Sequence, residues 1–264
     1  MQEKKSPVWI ATLVVAVVVV AAGAYFLFFR GKGKEELPIQ EVAEPQTSPA
    51  PVEITPAAEQ LPEPIQIALG KSDAIARELA GRISSNPTFL TWLATDDLIR
   101  KFVAAVDNIA LGTSPKPHLI FMAPEDPFSV IQKKDRVLVS PESYRRYNLV
   151  ANVFTSVDTK GSVEAYRRLR LPIQEAYREL GYPDRDFNDT LAQAIVELLR
   201  VPVVREPIRL RQKVISFAMT DPELEGLSAA QKNLLRMGPD NVQRIQNKLR
   251  EFAAALGIPA SRLP

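Results

Sequence analysis

Twenty-two consecutive residues, Val8 to Phe29 (VWIATLVVAVVVVAAGAYFLFF), carry no charge. A helix of that length rises about 33 Å, enough to cross a hydrocarbon core of about 30 Å. Trp9 and Tyr25 stand near its ends, where interfacial aromatics are favoured. A core helix is seldom apolar on every face over such a length. Ala22-Gly23-Ala24 has the small-x-small form of a signal-peptide cleavage site, but Tyr25 to Phe29 carry the apolar run past it. The pattern predicts a short tail and an uncleaved single transmembrane helix within residues 1–34.

The apolar pattern then stops. Residues 35–67 hold seven prolines, seven glutamates and no lysine or arginine. Proline at this density blocks helices and sheet ladders, and the apolar residues keep no period, so a disordered Pro/Glu-rich linker is expected. It would span roughly 30 Å as a flexible coil and about 100 Å as polyproline II.

From residue 68 onward helical periodicity returns, and residues 68–264 read as one globular domain. Ser72 is placed to cap a helix running to about Ile83, and Pro87 opens a short helix holding Phe89, Leu90, Trp92 and Leu93. Asp96 and Asp97 start another, with Leu98, Ile99, Phe102, Val103, Val106 and Ile109 on one face and a stop near Gly112. A loop, TSPKPHLIFMAPEDP, follows. Phe128 to Gln132 and Arg136 to Val139 predict a hairpin. Ser140-Pro141-Glu142 begins a helix with Tyr144, Tyr147, Ala151, Phe154 and Val157 in its stripe, and Arg145 and Arg146 off it. Two shorter helices are expected around Pro172, and Phe187, Leu191, Ile195 and Leu198 mark a further one. Residues 203–219 are β-branched and arginine-rich, with Pro207 limiting them to an edge or irregular strand. Ser228 caps a helix through Met237, Gly238-Pro239 turns the chain, and Val242, Ile245, Leu249, Phe252 and Leu256 stripe the last helix. The fold class is mainly α: a single transmembrane helix, a disordered linker, then a multi-helix domain with a small β-hairpin or short sheet.

Composition narrows the chemistry. The chain has no cysteine and one histidine, which excludes disulfides, thiolate nucleophiles and multi-histidine metal sites. No phosphate-binding glycine loop, dinucleotide fingerprint, metalloprotease or nucleophile-elbow motif is present. His118 is the lone candidate base. Asp96-Asp97, Asp184/Asp186 and Glu223/Glu225 supply paired carboxylates, each at a helix start where an acid simply complements the dipole. No cofactor or metal is expected. The net charge of +2 hides a division: the linker is acidic, and residues 68–264 carry 28 basic against 23 acidic side chains. The C-terminal SAAQKNLLRMGPDNVQRIQNKL has a helix-turn-helix outline with Arg244, Lys248 and Arg250, but its stripe faces inward, so an αα-hairpin is the reading and no nucleic acid is expected.

Several polar residues lie beside apolar stripes: Asp107, Asn108, Arg145, Tyr147, Asp158, Tyr177, Arg236 and Asn241. Buried charges need partners, so these are expected to form either a structural network or a ligand cleft. The segments FVAAVDNIALG, SYRRYNLVANVFTSVD, LPIQEAYRELGYP and DPELEGLSAAQKNLLRMGPDNVQRI resemble a bacterial family known only as domain of unknown function 3014, over most of residues 72–252. The resemblance implies a membrane-anchored layout with a variable Pro-rich linker and carries no catalytic residues. It also implies an acid where this chain has Asn148.

The lipid bilayer is the expected partner of residues 8–29. A very short tail before the span and a large body after it suit a signal-anchor in a bacterial inner membrane, with the C-terminal domain periplasmic. The function expected is a non-enzymatic interaction or scaffolding domain meeting an envelope protein or an anionic lipid or polymer. An envelope enzyme acting on a wall or lipid polymer, and an anionic-lipid-binding domain, are the alternatives.

Overall fold

The computed structural model describes residues 62–264. The expected membrane span, and all but the last residues of the Pro/Glu-rich stretch, lie outside them. Among the described residues no helix is long and apolar enough to cross a membrane.

The domain is mainly helical. Helix α1 covers Asp73–Gly81, α2 Pro87–Trp92 and α3 Leu98–Ala110. Strands β1 (Val130–Lys133) and β2 (Arg136–Val139) precede α4 (Pro141–Arg145), α5 (Asn148–Ser156), α6 (Thr159–Glu179) and α7 (Phe187–Leu199). Then come β3 (Arg209–Gln212), β4 (Phe217–Met219), α8 (Pro222–Gly226), α9 (Ala229–Leu235) and α10 (Pro239–Ala255). Helix α3 packs on α6 and α7, and α10 crosses α5, α6 and α7. Val103, Val106, Ile109, Leu191, Ile195, Leu198, Val242, Ile245, Leu249 and Phe252, the stripes of three helices, are fully buried there. Their periodicity alone places them inward.

Several helix starts follow local chemistry. Asn86 accepts from the Thr88 and Phe89 amides, Asp186 from that of Asn188, and Ser228 with Gln231 forms a reciprocal capping box. Helix α3 starts differently. Asp97 sits at the left-handed φ of 56° and does not cap with its own side chain. Instead the Asp73 carboxylate reaches over from α1 to accept from the Asp97 and Leu98 amides at 2.6 and 2.9 Å. Ser72 likewise turns back, donating to the Leu69 carbonyl rather than capping α1.

Three expectations need correction. The single helix expected from Pro141 to Val157 is broken at Arg146-Tyr147, where the Tyr147 amide bonds the Tyr144 carbonyl three residues back and the Tyr147 ring turns inward. The two helices expected around Pro172 are one, α6, with Pro172 buried inside it. A proline leaves the carbonyl four residues earlier without its helical donor. Here that carbonyl, Arg168 O, accepts from the Ile65 amide at 2.8 Å. Residues 62–67, the end of the Pro/Glu-rich stretch, therefore lie against α6, and Ile65 packs on the core.

The third correction concerns the sheet. It has four antiparallel strands in the order β1-β2-β3-β4. Strand β3 is interior, and Pro207 falls in the irregular stretch before it, where the missing N–H disturbs no ladder. Leu210 and Met219 turn the inner face to the helices.

Candidate functional site

Three cations converge where the loop after α3, the α4–α5 break and the end of α9 meet. Lys116 is carried by a short 3-10 turn, Lys116–His118, set between Pro115 and Pro117. Arg146 is the residue after α4 and Arg236 the residue after α9. The end of a helix is the favourable place for a cation, since the last carbonyls carry partial negative charge. That effect is small beside the cost of holding three like charges together away from water.

The walls are aromatic. Tyr147 is buried at 2 % exposure, and the Arg146 guanidinium lies over its ring at 5.0 Å and over Phe128 at 5.7 Å. Arg146 donates one Nη to the Asp126 carbonyl at 2.9 Å and the other to the Tyr147 hydroxyl at 3.2 Å. Its Nε is buried without a hydrogen-bond partner, as is the hydroxyl of Tyr144. The half-buried Arg236 guanidinium makes no hydrogen bond or ion pair among the described residues.

The electrostatics record the crowding. Burial, with Arg236 and Arg146 adding to it, pulls the Lys116 ammonium down to about 8. Burial lowers Arg236 as well, against the opposing pull of Tyr147 and Glu225. Glu225 is otherwise engaged: it accepts from the Met219 amide at 3.0 Å and pairs with Lys213 and Lys232 at 3.8 Å each. The result is a cluster of donors and positive charge in which neither Arg146 nor Arg236 forms an ion pair with a carboxylate among the described residues, an arrangement suited to an anionic, oxygen-rich group.

Asn241 braces the pocket from α10. Its amide donates to Asn148 Oδ1 at 2.9 Å and the Met237 carbonyl at 3.0 Å, with a longer contact to Tyr144 O at 3.4 Å. Position 148, where the resemblance implied an acid, thus pairs as Asn148 with an asparagine. Gly238, at φ 85°, lets the backbone pass over the Tyr144 ring, where an added Cβ would stand 2.5 Å from Cγ.

The eight polar residues singled out from the sequence do not form one cluster. Tyr147 and Arg236 belong to the pocket, and Asn241 stands beside it. Asp107 and Tyr177 meet elsewhere, through Tyr182: its hydroxyl donates to Asp107 at 3.5 Å and its ring stacks on Tyr177 at 4.6 Å. Burial holds the Asp107 carboxyl above its usual range. Tyr177 shares a 2.7 Å hydrogen bond with Thr190. Asn108 bonds the Ser114 carbonyl, Arg145 pairs with Glu142 in solvent, and Asp158 caps α6 at the Gly161 amide. Sequence reasoning missed Lys116 and Arg146. Proline on both sides of Lys116, and the doubled arginine in SYRRYN, were the available signals.

The paired carboxylates do structural work. Asp186 caps α7, Asp97 pairs with Arg100, and Glu225 holds the start of α8 to β4. Asp184 and Asp186 also border a recess of roughly 350 Å³ beside Arg170, Arg178 and Arg185, where cations and acids are mixed. His118 is half-buried and burial pushes its imidazole below the ordinary range. Among the described residues no group of three His, Asp or Glu stands together as a metal site would require.

No curated protein and no solved structure matches the chain. Residues 98–253 match the family described as protein of unknown function (DUF3014), a span that includes Lys116, Arg146 and Arg236, and the chain belongs to that family.

Proposed function

We propose that this protein is a non-enzymatic interaction module of a bacterial cell envelope, whose domain recognises an anionic group of its partner in the Lys116–Arg146–Arg236 pocket. The observation that carries this reading is the set of uncompensated donors there: Arg146 Nε buried without a partner and an Arg236 guanidinium with none among the described residues. Removing one partner of a buried charge pair is strongly destabilising. An Arg236 guanidinium with no ion-pair partner among the described residues is therefore better suited to receiving a negative group than to stability. Residues 8–29 anchor the chain in the inner membrane in a single pass, the Pro/Glu-rich stretch serves as a tether, and the domain lies in the periplasm.

The recognition test uses the full chain in neutral detergent. Thermal unfolding is followed with inorganic phosphate, acetate and citrate, each matched in ionic strength by chloride. At least one oxyanion should raise Tm well above the chloride control, and Arg236→Met should abolish that rise while leaving the ligand-free protein as stable or more so. If no oxyanion raises Tm, or if Arg236→Met lowers Tm and leaves the rise intact, Arg236 is structural and the reading fails. Topology is tested by C-terminal fusions: an export-dependent reporter should be active, whereas a fluorescent reporter active only in the cytoplasm should be dark.

A further inference from the structure

The outer end of the sheet has a composition that packing does not explain. Strands alternate in direction across β1-β2-β3-β4, so the β1–β2 and β3–β4 turns lie at the same end. At the second turn, closed by a 2.7 Å hydrogen bond from the Lys213 amide to the Ser216 carbonyl, stand Val214 and Ile215. They are 98 % and 89 % exposed, the most exposed large aliphatic residues of the domain. A single exposed aliphatic side chain is ordinary, but two adjacent ones at the apex of a hairpin are held in water with nothing of this domain to cover them.

The surroundings of that tip are cationic. Lys133 and Lys134 lie at the neighbouring turn, and Lys133 stands directly opposite Arg136 in the β1–β2 register. Like charges directly opposite on a ladder are destabilising. The same register places Lys133, Arg136, Arg209 and Arg211 on one face, opposite to the core residues Leu210 and Met219. Asp135 pairs with Arg136 and Glu225 with Lys213, but Lys133, Lys134, Arg209 and Arg211 make no ion pair among the described residues. An aliphatic apex ringed by unpaired cations matches an anionic lipid surface in both of its layers: acyl boundary for the apex, headgroup phosphates for the ring.

We propose that this end of the sheet docks on an anionic bilayer, with Val214 and Ile215 entering the headgroup region and the surrounding lysines and arginines contacting lipid phosphates. The contact is separate from the Lys116 pocket, and it brings the domain back to a membrane surface rather than leaving it free on a tether.

Because the chain contains no cysteine, Ile215→Cys gives a unique site for an environment-sensitive fluorophore. The full chain is reconstituted into vesicles of phosphatidylcholine alone, or with roughly a third phosphatidylglycerol. In the anionic vesicles the label should shift to the blue and be quenched by spin-labelled lipid, and about 0.5 M salt should reverse both changes. A label at Glu164→Cys, exposed on α6, should not respond. Lys133→Glu with Lys134→Glu should lower the ratio of docked to undocked domain roughly fivefold per cation removed, before counting the added repulsion. A label at position 215 that stays in water on anionic vesicles overturns the proposal. Shielding that appears equally in neutral vesicles and grows with protein density signals pairing between copies, and also overturns it. These outcomes are independent of the oxyanion test, so either proposal can fail alone.

Discussion

The amide of Ile65 donates to the carbonyl of Arg168 at 2.8 Å, at the place in α6 that Pro172 leaves without a helical donor. A segment more than a hundred residues earlier in the chain thereby completes the helix. The Leu69 amide adds a second tie, to Glu175 at 3.2 Å, so the approach to the domain is fastened along α6 at two points. Ile65→Pro removes the donor and strands the carbonyl, which costs about 1–3 kcal/mol. For a domain of this size each kcal/mol lowers Tm by about 2–4 °C. Thermal unfolding should therefore show a loss of several degrees, and hydrogen exchange in the parent should show the Ile65 amide protected although it precedes the first helix. Fast exchange at Ile65 would show that the tie does not form in solution.

A second long-range tie closes α7. Gln246, 3 % exposed, donates from Nε2 towards the Leu198, Leu199 and Val201 carbonyls at 3.2, 3.2 and 2.8 Å. The last carbonyls of a helix have no internal donor, and here a glutamine from α10 supplies one. Gln246→Leu keeps the bulk and removes the donor, at an expected cost of about 2–4 kcal/mol for more than one unsatisfied carbonyl. Gln243→Leu, half-buried on the same helix and bonded through a solvent-exposed contact to Asn247, should stay within about 0.5 kcal/mol. Urea unfolding of the two variants separates the effects; equal losses would mean that the helix, not the cap, is being measured.

These ties explain what the sequence conceals. The stripes of α3, α7 and α10 and the Ser228–Gln231 capping box are legible because their causes lie within four residues. Pro172 reads as a break because the group that repairs its gap, Ile65, sits in a stretch whose composition says disorder. Strand β3 reads as an edge because its partnership with β2 joins positions about seventy residues apart. The pocket is harder still. Tyr147 and Arg236 are visible as polar residues beside apolar stripes, but Arg146 turns inward only because the helix breaks there, and Lys116 lies in a loop without period. Arg145, next to Arg146, had the same sequence credentials and points to solvent.

Gly238 tests how tightly the pocket floor is built. Its φ of 85° with ψ of 161° belongs to a region open to glycine alone, and a Cβ would meet Tyr144 Cγ, Cβ and Cδ1 at 2.5, 2.6 and 2.9 Å. Backbone strain contributes about 1–3 kcal/mol and overpacking about as much again. Gly238→Ala should therefore lose about 2–6 kcal/mol in urea unfolding. Tyr144→Ala removes the ring but keeps its Cβ, so the double variant should remain less stable than Tyr144→Ala alone. Full recovery in the double variant would place the conflict in the ring and not in the backbone.

Lys116 gives the pocket a signature in pH. Its ammonium sits at about 8 in the folded domain, pulled down by burial and by Arg236 and Arg146, against about 10.4 in an unfolded chain. Between those values the unfolded state binds more protons than the folded one, so stability rises with pH from about 8 upward. The facing tyrosines act oppositely. Burial pushes the Tyr144 and Tyr147 hydroxyls up, so above about pH 10 the unfolded chain loses those protons first and stability falls again. The urea midpoint of the full chain in neutral detergent should therefore climb from pH 8 to about 9.5. Lys116→Met should flatten that climb and raise the midpoint at pH 7, because a charge held against two arginines has gone. A bound oxyanion should reverse the sign of the local interaction, raising the Lys116 value and drawing in a proton at pH 8. An unchanged climb in Lys116→Met would mean that the proton released on folding comes from elsewhere.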